Sequence, residues 1–177
     1  MMPYLLKDLK IIAPHQVWQV DITYLPTIKG FMYLVGFIDV YSRMTVGYNI
    51  SNCLDTESCI VALELAIKKY GLPQIINSDQ GTQFTSDLWK NSLQNQSITI
   101  SMTGKGRSND NAFIERLWKT LKYEGILLYN WRTVNELMDN IPNLIDWYNY
   151  ERPHMSIGYL TPYEKLCEYN TSLLIAA

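Results

Sequence analysis

Apolar and polar positions run with strand-like rhythm through the first part of the chain and helix-like rhythm through the second. Val17 to Leu25, Phe31 to Val40 and Met44 to Ile50 are rich in Val, Ile, Tyr and Phe. The turn-forming segments Lys29-Gly30 and Tyr41-Ser42-Arg43 divide them, which predicts three strands whose short connections make them antiparallel neighbours. Next, Asp55 is placed to cap a helix running to Tyr70, with Ile60, Leu63, Ala66 and Ile67 at helical spacing and Gly71-Leu72-Pro73 as its stop. A fourth strand is expected at Gln74 to Asn77, a helix from Thr85 or Ser86 to Leu93, and a fifth strand at Ile98 to Met102. Beyond the loop Gly104-Lys105-Gly106 the period is helical, from Asp110 to Tyr123 and from Val134 to Tyr148, until Arg152-Pro153 breaks it. The order predicts an α/β fold, a mixed five-stranded sheet with flanking helices.

Composition narrows this picture. A chain of 177 residues is the length of one ordinary domain, divided here into a tail at 1–13, a core at 14–166 and a second tail at 167–177. Hydrophobic residues make up 47% and charged ones 18%, a globular balance, and no apolar run approaches the roughly 18 residues of a membrane span. Because the N-terminus lacks a charged region followed by an apolar core, no secretory signal is expected and the cytoplasm is the anticipated compartment. Cys53, Cys59 and Cys167 are odd in number and lack paired zinc-ligand spacing, so reduced and mostly buried thiols are expected. The net charge of −2 argues against a nucleic-acid partner, which normally faces a basic surface.

Three acids interrupt this ordinary pattern. Asp21 falls inside the first strand, where alternation sets Val17, Gln19, Asp21 and Thr23 on one face. An ionised carboxylate there is costly unless paired or metal-bound, although an edge-strand Asp facing water is equally consistent. Asp79 follows the apolar pair Ile75-Ile76 at the C-terminal end of a strand, where open α/β sheets gather ligands; Ser78-Asp79-Gln80-Gly81 is also good chemistry for a plain Asx turn. Glu115 shares a helix face with Lys119 and Lys122, about 110° away from the stripe Ile114, Leu117, Trp118 and Leu121. That face can be a solvated ion-pair surface or an acid set among bases. Lys105, Arg107, Arg116, Lys119 and Lys122 place five of the fifteen basic residues within residues 105–122, a local basic strip that the net charge conceals.

Taken together, these segments resemble the DDE transposases of bacterial insertion sequences, the group whose catalytic core is related to retroviral integrases. Residues 80–114, thirty-five in all, separate Asp79 from Glu115, which is the spacing of that superfamily. Trp18-Gln19-Val20-Asp21-Ile22-Thr23-Tyr24, Asn77-Ser78-Asp79-Gln80-Gly81-Thr82-Gln83-Phe84 and Asp110-Asn111-Ala112-Phe113-Ile114-Glu115-Arg116 are similar to the family's blocks around its three acids. Tyr148 to His154 and Gly158 to Pro162 fit its C-terminal block, so the resemblance covers residues 14–166. A departure lies at Gly106-Arg107-Ser108-Asn109-Asp110, where many relatives carry an aromatic residue or another Asn before the Asp.

The resemblance implies a ribonuclease H-like fold and DNA cleavage and strand transfer, with Asp21, Asp79 and Glu115 as catalytic and metal-binding residues. It also implies two Mg²⁺ or Mn²⁺ ions, Asp21 bridging both and the other acids completing one site each. Lys119 and Lys122 match positions that contact donor DNA, and Lys105, Arg107 and Arg116 extend the DNA-binding strip. Two divalent cations would turn the formal charge of −2 into +2. The expected partners are DNA, as element ends and target, further copies of the chain in a synaptic complex, and a helix-turn-helix region or partner reading-frame product, with no membrane. A stand-alone nuclease of the same fold and a non-catalytic DNA-binding module are the competing readings. Among other residues, His154 is expected to be structural rather than a ligand. Asp39 with Ser42 and Arg43 should make a local turn, and Trp89, Trp118, Trp131 and Trp147 should belong to core or interface.

Overall fold

The computed structural model describes residues 2–104 and 108–176. Strands β1 (Val17–Thr27), β2 (Gly30–Asp39) and β3 (Thr45–Ser51) form an antiparallel meander. Helix α1 (Thr56–Tyr70) crosses to β4 (Ile75–Ser78), and α2 (Thr82–Thr85) with α3 (Asp87–Asn95) crosses to β5 (Thr99–Met102). Both later strands pair in parallel, and the five-stranded order is β3-β2-β1-β4-β5. Helices α4 (Ala112–Leu121), α5 (Val134–Tyr150) and α6 (Pro162–Ala176) complete the fold.

Local chemistry sets most of the boundaries. The Asp55 carboxylate caps α1 by accepting from Ser58 N at 2.8 Å, and Gly71, at φ 82°, ends the helix with its amide on the Ile67 carbonyl. Ser86 caps α3 in the same way. Thr133 and Glu136 close a full capping box at the start of α5. A second such pair went unread in the sequence: Thr161 N donates to Glu164 Oε2 at 2.8 Å and Glu164 N to Thr161 Oγ1 at 3.1 Å. It starts α6, which runs into the segment assigned above to the C-terminal tail.

Apolar residues on the two faces of the sheet make two cores. On one face α1 and α3 contribute Cys59, Leu63, Ala66, Trp89 and Leu93 to Trp18, Val20, Phe37 and Ile76. On the other, α4 and α5 set Ile114, Leu117, Trp118, Leu121, Leu137 and Ile141 against Leu25, Leu34 and Ile38. A reciprocal pair fastens α5 to the sheet: Asn149 Oδ1 accepts from Thr45 N at 2.8 Å, and Asn149 Nδ2 donates to the Thr45 carbonyl at 3.0 Å. Early residues are tied down as well, since Leu5 N donates to Ser101 Oγ and the Pro3 carbonyl accepts from Met102 N. Of the three cysteines, expected to be mostly buried, only Cys59 is buried. Among the described residues, no helix is long and apolar enough to cross a membrane.

Candidate active site

Asp21 stands in the middle of β1, opposite Gly36 of β2. The parallel pairing of β1 with β4 matches Gln19 with Asn77, so Asp79, just past the end of β4, takes the position level with Asp21. Glu115 comes from the first turn of α4, the helix that covers this face. Asp79 is exposed, while Asp21 and Glu115 are half-buried. The Asx turn is real: Asp79 Oδ1 accepts from Gly81 N at 2.9 Å, which fixes the carboxylate without neutralising it.

Asp79 and Glu115 are both within electrostatic reach of Asp21. Burial, reinforced by the negative charges of Asp79 and Glu115, pushes the Asp21 carboxyl up to about 6 against hydrogen bonds from the Ile22 amide and the Trp118 indole. Lys122 is lowered by burial and pulled back up by Asp21, which places its ammonium near that acid. Lys119 and Arg116 are exposed, and the charge of Arg116 is felt by Arg43 and Tyr148. Lys105 and Arg107 lie outside the described residues. Among the described residues, no three His, Cys, Asp or Glu side chains are gathered tightly enough to hold an ion as they stand. The donor set nevertheless suits a hard cation, since three oxygen-bearing acids repel each other and a divalent ion would relieve that repulsion.

What holds α4 over the acids is a buried amide network that motif reading missed. Gln19 Oε1 accepts from both Phe113 N and Ile114 N at 3.2 Å, satisfying helix N-terminal donors for which Asn111 makes no side-chain cap. Gln19 Nε2 and Asn77 Nδ2 both donate to the Asp110 carbonyl, at 3.1 and 3.3 Å. Ser101 Oγ donates to Asn77 Oδ1 at 2.8 Å, and Asn111 Nδ2 reaches the Val20 carbonyl at 3.4 Å. Alternation had already put Gln19 on the face of Asp21, yet only tertiary pairing shows that it caps a helix ninety residues away.

Other candidates resolve into structural roles. Asp39 is fully buried, and its two oxygens accept from Ser42 N, Ser42 Oγ and His15 N, so it forms the expected turn. His154 packs edge-on against Tyr148 at 4.7 Å, and burial with the nearby Arg152 charge pushes it down to about 4. Trp118 lies in the core as expected, 7% exposed, and in addition its indole Nε1 donates to Asp21 Oδ2 at 3.0 Å.

Known proteins are similar to this chain in sequence and in shape. Two family models, both described as Integrase core domain, match residues 12–108 and 96–162. The transposase for insertion sequence element IS904 of Lactococcus lactis is 36% identical over 158 residues, which cover 86% of this chain and 62% of that protein. The chain thus spans less than two thirds of that relative. Among solved structures, a chain of the simian T-cell lymphotropic virus intasome in complex with PP2A regulatory subunit B56 gamma superposes with a TM-score of 0.76 at 20% identity, covering 94% of this chain and 59% of that one. The HTLV-2 integrase catalytic core domain in complex with magnesium gives a TM-score of 0.72 at 20% identity, over 88% of this chain and 98% of that one. These likenesses establish the ribonuclease H-like fold expected from the sequence.

Proposed function

The chain belongs to the integrase core domain family, and from that premise we propose that it is the catalytic core of an insertion-sequence transposase, cleaving DNA strands and joining them to a target. The reading is supported by the placement of three acids on three separate elements, Asp21 in β1, Asp79 just past β4 and Glu115 in the first turn of α4, with Asp79 and Glu115 both near enough to Asp21 to act on its charge. A scaffold protein gains nothing from such mutual repulsion. A site for divalent cations does.

Asp21, Asp79 and Glu115 would hold Mg²⁺ or Mn²⁺, two ions in all. When bound, the ions supply Lewis-acid activation and charge neutralisation for an in-line phosphoryl displacement. The protein's own residues position and bind. The Gln19 and Asn77 amides hold the first turn of α4, which carries Glu115, against β1 and β4. Lys122, beside Asp21, and Lys119, one helical turn beyond Glu115, would hold backbone phosphates of the donor strand, with Arg116, Lys105 and Arg107 extending the basic surface. Water would attack in strand nicking and a 3′-hydroxyl in strand transfer, with no covalent link to the enzyme.

Recognition of the element ends is assigned to a helix-turn-helix region or a partner reading-frame product, and synapsis to further copies of the chain. The setting would be the bacterial cytoplasm, where the DNA is. The test is metal-dependent nicking and joining of terminal-repeat DNA by the full-length transposase carrying this core. Asp79→Asn should abolish both steps while leaving the fold intact, and activity surviving that change overturns the assignment. Nicking without joining would instead identify a nuclease.

A further inference from the structure

Asp21 and Glu115 come from different elements, and one side chain spans the gap between those elements. Trp118 lies three residues beyond Glu115 on α4, and its Nε1 donates to Asp21 Oδ2 at 3.0 Å. The ring can reach that far only because of Gly36, the register partner of Asp21 on β2. A Cβ at Gly36 would lie 2.6 Å from Trp118 Cη2 and 3.4 Å from Cζ2 and Cζ3, so close that the ring or the strand would have to shift. The missing side chain thus makes a slot in the sheet surface, and the indole fills it.

We propose that Trp118, seated on Gly36, is a positioning residue that fixes the Asp21 carboxylate for cation binding and locks α4 at the rotation that turns Glu115 toward it. This rests on the reading of Asp21, Asp79 and Glu115 as the metal-holding acids. An indole N–H only donates, so it orients one carboxylate oxygen without bringing a competing charge. An ionised carboxylate offers about four acceptor sites, which leaves capacity for a cation. Partners of this kind, one bond removed from the metal, set ligand orientation, and their loss typically weakens binding by about 10- to 100-fold. Phenylalanine at position 118 would keep most of the buried ring and remove the donor, which separates positioning from packing.

The experiment is Mn²⁺ titration of the protein, followed by electron paramagnetic resonance, for wild type, Trp118→Phe and Asp21→Asn, with thermal melts as a folding control. Trp118→Phe should stay folded and bind Mn²⁺ about tenfold more weakly, and Asp21→Asn should bind more weakly still. Wild-type affinity in Trp118→Phe alongside lost affinity in Asp21→Asn overturns the positioning role alone. Unchanged affinity in Asp21→Asn removes the reading of the acids, and the proposal with it. Should Trp118→Phe fail to fold, the indole resonances of the five tryptophans carry the test. One of them should be shifted by hydrogen bonding to a carboxylate and should move in Asp21→Asn; five unmoved signals refute the proposal.

Discussion

Replacing Gln19 with leucine removes the side chain that joins α4 to the sheet while nearly preserving its volume. In the native protein Gln19 is 2% exposed, and its Oε1 accepts two backbone amides, Phe113 N and Ile114 N. Both are left without a partner in Gln19→Leu. A buried donor so abandoned costs about 1–3 kcal/mol. Ile114 is fully buried and should incur the upper part of that range, whereas half-buried Phe113 can recruit water and should sit near the bottom. The Asp110 carbonyl adds little, because Asn77 Nδ2 still reaches it at 3.3 Å. The expected loss is therefore about 2–4 kcal/mol, a large fraction of the roughly 5–15 kcal/mol that holds a domain together. Urea unfolding followed by tryptophan fluorescence measures it directly, with an unchanged m-value showing that the unfolded state is not the cause. Gln19→Glu is the informative companion, since it keeps an acceptor for both amides but replaces the Nε2 donor with an oxygen set against the Asp110 carbonyl. A loss below about 0.5 kcal/mol in Gln19→Leu, the ordinary scatter of surface substitutions, would show that Gln19 is not the cap of α4.

Further outcomes follow from other contacts. His154, held down to about 4 by burial and by Arg152, prefers to be neutral in the folded protein; its contribution is complete above the unfolded value near 6.5 and declines as pH falls from there toward 4. Thermal melts between pH 7 and pH 4 should accordingly show a steeper loss for wild type than for His154→Gln, and parallel curves refute this. Arg152 grips Glu124 with two bonds of 2.8 and 2.6 Å at the surface, so Glu124→Gln should cost about 0.5–1 kcal/mol at low salt and less at 1 M NaCl. A salt-independent cost speaks against the pair. Burial pushes the Cys59 thiol up to about 12, while Cys53 is exposed. An aromatic disulfide reagent should label Cys53 at once and Cys59 only on unfolding, as peptide mapping would show.

The sequence by itself determined the elements and the chemistry. Strand alternation, the Asp55 and Ser86 caps and the Gly71 stop each act within a few residues, so β1 to β5, α1, α3 and α5 were legible close to their observed limits. Three acids stood out as candidates too, through their spacing and the family blocks around them. Helix α6 escaped because its cap, Thr161 with Glu164, starts a segment without a strong apolar stripe. Only the tertiary structure decided what surrounds Asp21 and the first turn of α4. Gln19 reads as an ordinary polar strand residue until the first turn of α4, more than ninety positions away, arrives to be capped by it. Gly36 carried no signal and Trp118 reads as a core aromatic, yet their contact accompanies a sheet register that puts Gly36 opposite Asp21, the acid to which the indole bonds. Local sequence specifies what each residue can do; long-range pairing in the folded chain selects which of those capacities is used.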